Sequence, residues 1–273
     1  MLNFDELENK CFKLRQTVLS MCLKANTGHV TSSFSVVELL ASLYYRDFIN
    51  HDPKNPEWDD RDRLILSKAQ ASPLLYAILA DLGYYDKKDL DLFAQKGGPF
   101  GVHLQNTVKG VETTAGALGH GLGLACGIAL RARMDRKLFL TYTILGDGEL
   151  YEGSIWESMK FASHHHLNNL VGIIDRNFLC TTDFTENLIA LEPLDEKIKS
   201  FGWNVLKIDG HNLKEIDEAL KDLRNRKHRR PTMIIAETTK GKGLQSMSYD
   251  PLFHGVPPKG EENIEKAKKE LKL

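Results

Sequence analysis

Short, largely apolar runs that alternate with helical segments constrain this chain most. Leu64-Ile65-Leu66, Phe139 to Leu145, Leu170 to Asp175, Trp203 to Ile208 and Thr232 to Ala236 each read as a strand. Between them, residues 73 to 82, 118 to 133, 152 to 163, 191 to 201 and 212 to 223 read as helices. Strands this apolar keep no solvated face, so helices must cover both sides of a mostly parallel sheet. The pattern predicts an α/β fold of three layers: helix, parallel sheet, helix.

The flanking segments add detail. Residues 5 to 25 carry Phe12, Leu14, Val18, Leu19 and Cys22 at helical spacing, and Asn26-Thr27-Gly28 ends them. Ser35 and Glu38 predict a capping box for a helix reaching about Tyr45. Asp52 to Asp62 reads as a polar turn region. Gln95 to Thr114 is glycine-rich and aperiodic, and a loop of that length in a compact protein is usually functional. Residues 261 to 273 read as a helical tail with no core of its own, leaving residues 1 to 260 as the main domain.

The 273 residues are 42% hydrophobic and 27% charged, with a formal charge of -1. That fits a soluble globular protein and gives no net field to draw nucleic acid or an anionic membrane. The basic run Arg224 to Arg230 reads as a solvated helix end. No apolar run approaches the length of a membrane span, and the start MLNFDELENK is acidic where a secretory peptide is basic. A cytoplasmic protein with no nucleic-acid or membrane partner is expected. Cys11, Cys22, Cys126 and Cys180 form no CxxC pair, so neither a disulfide framework nor a structural zinc site is expected.

The chemistry concentrates between Gly146 and Asn177. Open parallel sheets bind ligands beyond the carboxyl ends of their strands. Asp147 follows the strand ending at Leu145, and Asn177 follows the strand ending near Asp175, so both reach one sheet edge. Gly146 and Gly148 allow a tight turn and a close approach of backbone to phosphate. A carboxylate, an amide oxygen and a backbone carbonyl just past Asn177 suit magnesium, leaving octahedral positions for two diphosphate oxygens and a water. Read alone, the GDG run is equally an ordinary Asp-Gly turn. His164-His165-His166 does not read as a metal site, because neighbours on a helix point in different directions.

The wider sequence settles that choice. GDG followed about 30 residues later by Asn177, together with ANTGH at 25 to 29, DRLILSKAQASPLLYAIL at 62 to 79 and GVETTAGALGHGLG at 110 to 123, resembles the N-terminal, diphosphate-binding domain of transketolases. FGWNVLKIDGHN at 201 to 212, TTKGKG at 238 to 243 and His254-Gly255 extend the likeness over nearly the whole chain. The resemblance implies a thiamine diphosphate-binding fold with thiamine diphosphate and magnesium as cofactors, calcium or manganese being able to substitute. It implies Asp147 and Asn177 as side-chain ligands of the metal and Leu179 as a carbonyl ligand. Gln70, Gly116, Leu118, Gly146 and Gly148 would lie along the cofactor. His29, His103 and His254 would face the substrate and the reactive ring as catalytic residues. Glu152 corresponds to a family glutamate near the subunit contact; a helix-start acid favoured by the dipole is a compatible reading.

Two positions depart from the family. Transketolases usually read SKGH or SNGH where this chain has Ser67-Lys68-Ala69-Gln70, and glutamine cannot carry a proton at neutral pH. His120 stands where glutamine is common. In transketolases the cofactor-activating glutamate lies in a pyrimidine-binding domain that follows this one, and that domain is expected on a separate chain rather than after Leu273. The resemblance therefore implies a heteromeric enzyme that transfers two-carbon ketol units between sugar phosphates. Its partner would be a C-terminal transketolase subunit with the pyrimidine-binding domain, in two copies of each chain. A fragment of a longer chain is the other reading of that end. A related thiamine diphosphate enzyme acting on another keto sugar or keto acid, and a non-catalytic cofactor-binding or regulatory subunit, are the alternatives in function.

Overall fold

The computed structural model describes residues 1–225 and 229–273. α1 (Phe4–Ala25) opens with a capping box between Asn3 and Glu6 and stops where Asn26 turns left-handed. α2 (Val30–Phe34) and α3 (Val37–Tyr45) follow, then β1 (Arg63–Leu66) and α4 (Ser72–Leu82). Pro73 sits in the first turn of α4, where its missing N–H breaks no helical bond. After the long loop come α5 (Gly121–Met134), β2 (Thr141–Gly146), α6 (Gly153–His164) and β3 (Leu170–Arg176). The chain continues through α7 (Thr185–Leu188), α8 (Leu194–Ser200), β4 (Asn204–Asp209), α9 (Leu213–Lys221), β5 (Thr232–Glu237) and α10 (Glu261–Glu270).

All five strands are parallel, in the order β1-β2-β3-β5-β4. Alternate side chains on each strand enter different cores, as a period of two requires. Tyr142, Ile144, Val171, Ile173 and Ile234 join the core built with α1 to α4 and α9. Leu145, Leu170, Ile174, Met233 and Ile235 join the one built with α5, α6 and α8. The three expected layers are present. The strand order reverses after β4, because β5 returns between β3 and β4. α9 accordingly packs on the face opposite α6 and α8.

Local readings fail where a distant partner wins. The Ser35–Glu38 capping box does not form: α3 starts after Val36 without a side-chain cap. Ser35 Oγ donates instead to Asp175 Oδ2 at 2.8 Å, with the Ser32 carbonyl 3.1 Å away, and Glu38 is taken by Arg15. α5 begins at Gly121 rather than Leu118, since Gly119 has φ 86° and gives its N–H to Glu149. β2 begins at Thr141 rather than Phe139, because the Leu140 N–H donates to Asp62 Oδ1 instead of extending the ladder. The helix expected from 191 starts only at Leu194. Asn212 does cap α9, accepting from the N–H groups of Lys214 and Glu215.

Within the basic run, residues 226–228 lie outside the described residues. Arg224 is tied to Asp62, and Arg229 and Arg230 are exposed. α10 presses Ala267 and Leu271 into the α1-side core, and Gln16 Nε2 donates to the Leu271 carbonyl at 2.8 Å. No helix among the described residues is long and apolar enough to cross a membrane.

Gly121 sets how closely α5 approaches the turn after β1. A Cβ there would stand 2.2 Å from Ser67 Oγ and 2.9 Å from the Ser67 Cα. Backbone cannot rotate out of the way, so Gly121→Ala should destabilise the fold by about 1–3 kcal/mol. Urea unfolding reads this as a lower midpoint at constant slope; an unchanged midpoint would mean that α5 shifts freely.

Candidate functional site

At the carboxyl ends of β2 and β3, Gly146 pairs with Asp175, so Asp147 and Asn177 leave the sheet side by side. Asp147 is 1% exposed. Its Oδ1 accepts from the Gly148 N–H at 2.9 Å; its Oδ2 accepts from the Phe178 N–H at 2.6 Å and Arg176 Nη1 at 3.2 Å. Burial, and then the Asp175 charge, raise its pKa to about 6 against the pull of Arg176. A carboxylate disfavoured in this way gains from a nearby cation. Asn177 donates through Nδ2 to Asp175 Oδ2 at 2.8 Å, which fixes the amide orientation. Its Oδ1 accepts from the Leu179 N–H at 3.2 Å and keeps a second lone pair. Phe178 is left-handed (φ 66°), and beyond it Leu179 lines the same cleft as Asp147, Gly148 and Asn177.

Two acids beneath this edge were not singled out from the sequence. Asp175 is fully buried and ion-paired with Lys68 from the turn after β1. Ser35 and Thr238 hydroxyls donate to it as well. Burial opposes its charge, but Lys68 and these donors hold its carboxyl below the ordinary range. Glu149 is also buried and accepts from Ser67 Oγ, from the Gly119 N–H at 2.8 Å and from the Gly146 N–H at 3.3 Å. Burial still pushes its pKa up. Glu149 thereby joins the GDG turn to the 110–123 segment.

The histidines converge above. The His29 and His103 ring centroids lie 5.6 Å apart, and His29 and His254 meet edge-on at 6.0 Å. His29 Nδ1 is buried without a partner. Burial, then His103, Lys240 and Lys68, lower the His29 pKa to about 4. Burial and then Lys240 lower that of His254 to about 3. Lys240, also missed from the sequence, donates to His254 Nδ1 at 2.7 Å. Gly116, with φ 152°, packs against the His103 ring.

Gln70, Leu118 and Ser32 line the cleft; Gln70 Oε1 and the fully buried Ser32 Oγ have no protein partner. Gly116 and His120 line an adjoining cavity. Glu152 is the exposed N-cap of α6, packed so closely on Gly119 that a Cβ there would stand 2.7 Å from its own Cβ. His164 to His166 lie at the opposite end of α6. The donor set fits a magnesium-bound diphosphate: a destabilised carboxylate, an amide oxygen with a spare lone pair, unpartnered polar atoms and a buried lysine.

Residues 8–273 match the family described as transketolase, thiamine diphosphate binding domain. The chain belongs to the transketolase family. It is 41% identical over 240 residues to the 6-deoxy-6-sulfo-D-fructose transketolase subunit SqwG of Clostridium sp. (strain MSTE9), covering 87% of this chain and 86% of that one. It is 36% identical to an apulose-4-phosphate transketolase subunit of Actinobacillus succinogenes, covering 99% and 98%. Among solved structures, the transketolase of Campylobacter jejuni superposes with a TM-score of 0.91 at 34% identity, covering all of this chain but 43% of that one. This member thus matches transketolase subunits almost end to end and single-chain transketolases over less than half their length.

Lys240 gives the cleft a pH signature. It is 3% exposed, and burial, followed by the neighbouring Lys68 charge, lowers its pKa to about 8. Above that pH the free chain loses a cation from the anion site. Affinity for inorganic pyrophosphate with magnesium should therefore fall as pH rises through about 8, by up to about tenfold per unit. Calorimetric titration of Lys240→Met should show that limb flattened; a limb that persists would assign it to another group.

Proposed function

We propose that this chain is the thiamine diphosphate- and magnesium-binding subunit of a heteromeric transketolase that transfers two-carbon ketol units between sugar phosphates. A partner chain carries the pyrimidine-binding domain, and two copies of each form the assembly. The observation that carries this reading is a cleft lined by Asp147, Asn177 and His254, with His29 against His254 and His103 against His29, in a chain that matches named transketolase subunits almost end to end. The same reading takes the assembly to be cytoplasmic, since charged sugar phosphates stay in the compartment that makes them.

Bound thiamine diphosphate supplies an electron sink for breaking the bond beside a ketose carbonyl. The residues of this chain bind, orient and move protons. Asp147, Asn177 and the Leu179 carbonyl hold magnesium, while Gly146 and Gly148 let backbone approach the diphosphate. Gln70, Gly116 and Leu118 line the cofactor, and Glu152 faces the partner contact. With a pKa of about 4, His29 is neutral at pH 7, so its ring can both donate and accept a hydrogen bond towards a substrate hydroxyl. Lys240 occupies the Nδ1 lone pair of His254, which puts the ring proton on Nε2 as a donor. His103, exposed at the mouth, completes the trio.

Gln70 favours a second reading, a related enzyme acting on another keto sugar or keto acid. Its buried Oε1 has no protein partner and cannot take up a proton. Gln70→His should change kcat/KM or donor preference by about tenfold; a substrate panel that does not move would make the departure neutral.

Native mass spectrometry of the protein purified with its natural partner tests the main reading. A complex of two chains, two copies each, with the mass of thiamine diphosphate and magnesium is expected. A homo-oligomer that stays cofactor-free after both are added would overturn it. In the assembly, Asp147→Ala should weaken magnesium-dependent cofactor binding by at least about a hundredfold, and unchanged affinity would remove Asp147 from the metal site.

A further inference from the structure

Three side chains from distant parts of the sequence meet beside the cleft without lining it. Arg15 on α1 is 6% exposed and Glu38 on α3 is 8% exposed. Arg15 Nη1 and Nη2 donate to Glu38 Oε1 and Oε2 at 2.7 and 2.9 Å, a two-pronged pairing that fixes direction as well as distance. Glu38 Oε2 also accepts from His211 Nδ1 at 2.9 Å. Each outer member then grips one backbone group of the same turn. Arg15 Nε donates to the Lys242 carbonyl at 2.8 Å, and the Thr239 N–H donates to His211 Nε2 at 2.8 Å. Lys240 lies between these two anchor points.

The partners dictate the imidazole tautomer. Burial works against the Glu38 charge, yet Arg15 and His211 outweigh it and hold the carboxyl at about 2. An ionised Glu38 only accepts, so His211 carries its proton on Nδ1 and aims the Nε2 lone pair at Thr239. A buried ion pair is a poor source of net stability, since well-packed apolar residues often do as well. Direction is what it supplies here. Gly241 and Gly243 take φ of 81° and 94°, so this turn has little conformational preference of its own. Its far side is held by the Gly241 N–H on the Thr31 carbonyl at 3.0 Å. Thr31 Oγ1 in turn donates to the Phe253 carbonyl at 2.8 Å, one residue before His254.

We propose that Arg15, Glu38 and His211 form a brace that sets the position of Lys240 against His254, making His211 a positioning residue for the cofactor cleft. The inference rests on the reading of Lys240 and His254 as cleft residues, and it adds a part of the chain that neither touches cofactor nor lines the site.

The reactivity of Lys240 toward acetic anhydride, followed by peptide mass spectrometry on the purified chain without cofactor, reports the brace directly. His211→Asn can still donate to Glu38 but cannot reach the Thr239 N–H, whereas His211→Gln can reach it. Lys240 acylation should change by about tenfold in His211→Asn and return to within about threefold of wild type in His211→Gln, at similar melting temperatures. In the assembled enzyme, kcat/KM should follow the same order. Wild-type lysine reactivity in His211→Asn would overturn the proposal, and so would equal changes in both variants that merely track lost thermal stability. The lysine readout needs no cofactor, so a failed brace is distinguishable from a failed magnesium–diphosphate site, which the Asp147→Ala binding measurement reports.

Discussion

The buried ion pair between Lys68 and Asp175 is the contact on which the arrangement of this protein depends. It lies where four segments meet: the turn after β1, the α2–α3 junction through Ser35, the end of β3, and the residue after β5 through Thr238. Removing one partner of such a pair strands the other charge in the interior, at a cost of about 3–5 kcal/mol. The same carboxylate holds Nδ2 of Asn177, so the fold and the orientation of the amide oxygen rest on one group. Asp175 also helps to raise the Asp147 pKa. A structural charge thus prepares a neighbouring carboxylate for a cation.

Close backbone approach works alongside these side-chain bonds to bring the segments of the site together. Gly121 lets α5 reach Ser67, and Gly119 lets the preceding turn reach Glu152. Glu149 then bonds both the GDG turn and the Gly119 N–H. The cleft is therefore a junction of the segments that follow β1, β2, β3 and β5, at the carboxyl ends of a parallel sheet covered on both faces.

Much of the fold was legible because its signal is local or periodic. The apolar runs at Leu64, Leu170 and Thr232 became β1, β3 and β5 with only end-residue differences, and Pro73, Asn26 and Asn212 mark real helix ends. Errors occurred where a polar side chain has a choice of partners. Ser35 reads as a cap because Glu38 stands three residues on, but a buried Asp175 140 residues away takes its hydroxyl. Asp62 likewise takes the Leu140 N–H and shortens β2. No local pattern can reveal a competitor that only folding delivers.

By itself, the sequence determined the α/β layering, the position of the GDG turn against Asn177, the family, and the two departures at Gln70 and His120. These follow from periodicity, turn chemistry and motif spacing, all of which are properties of short stretches. Only the tertiary structure decided which polar groups are paired and which are left unpartnered. Lys68, Asp175, Glu149 and Lys240 stand in segments whose likeness was plain, yet each reads there as an unremarked polar residue. Their importance arises from burial, because a charge removed from water must find a partner, and the partner lies wherever the chain has brought one.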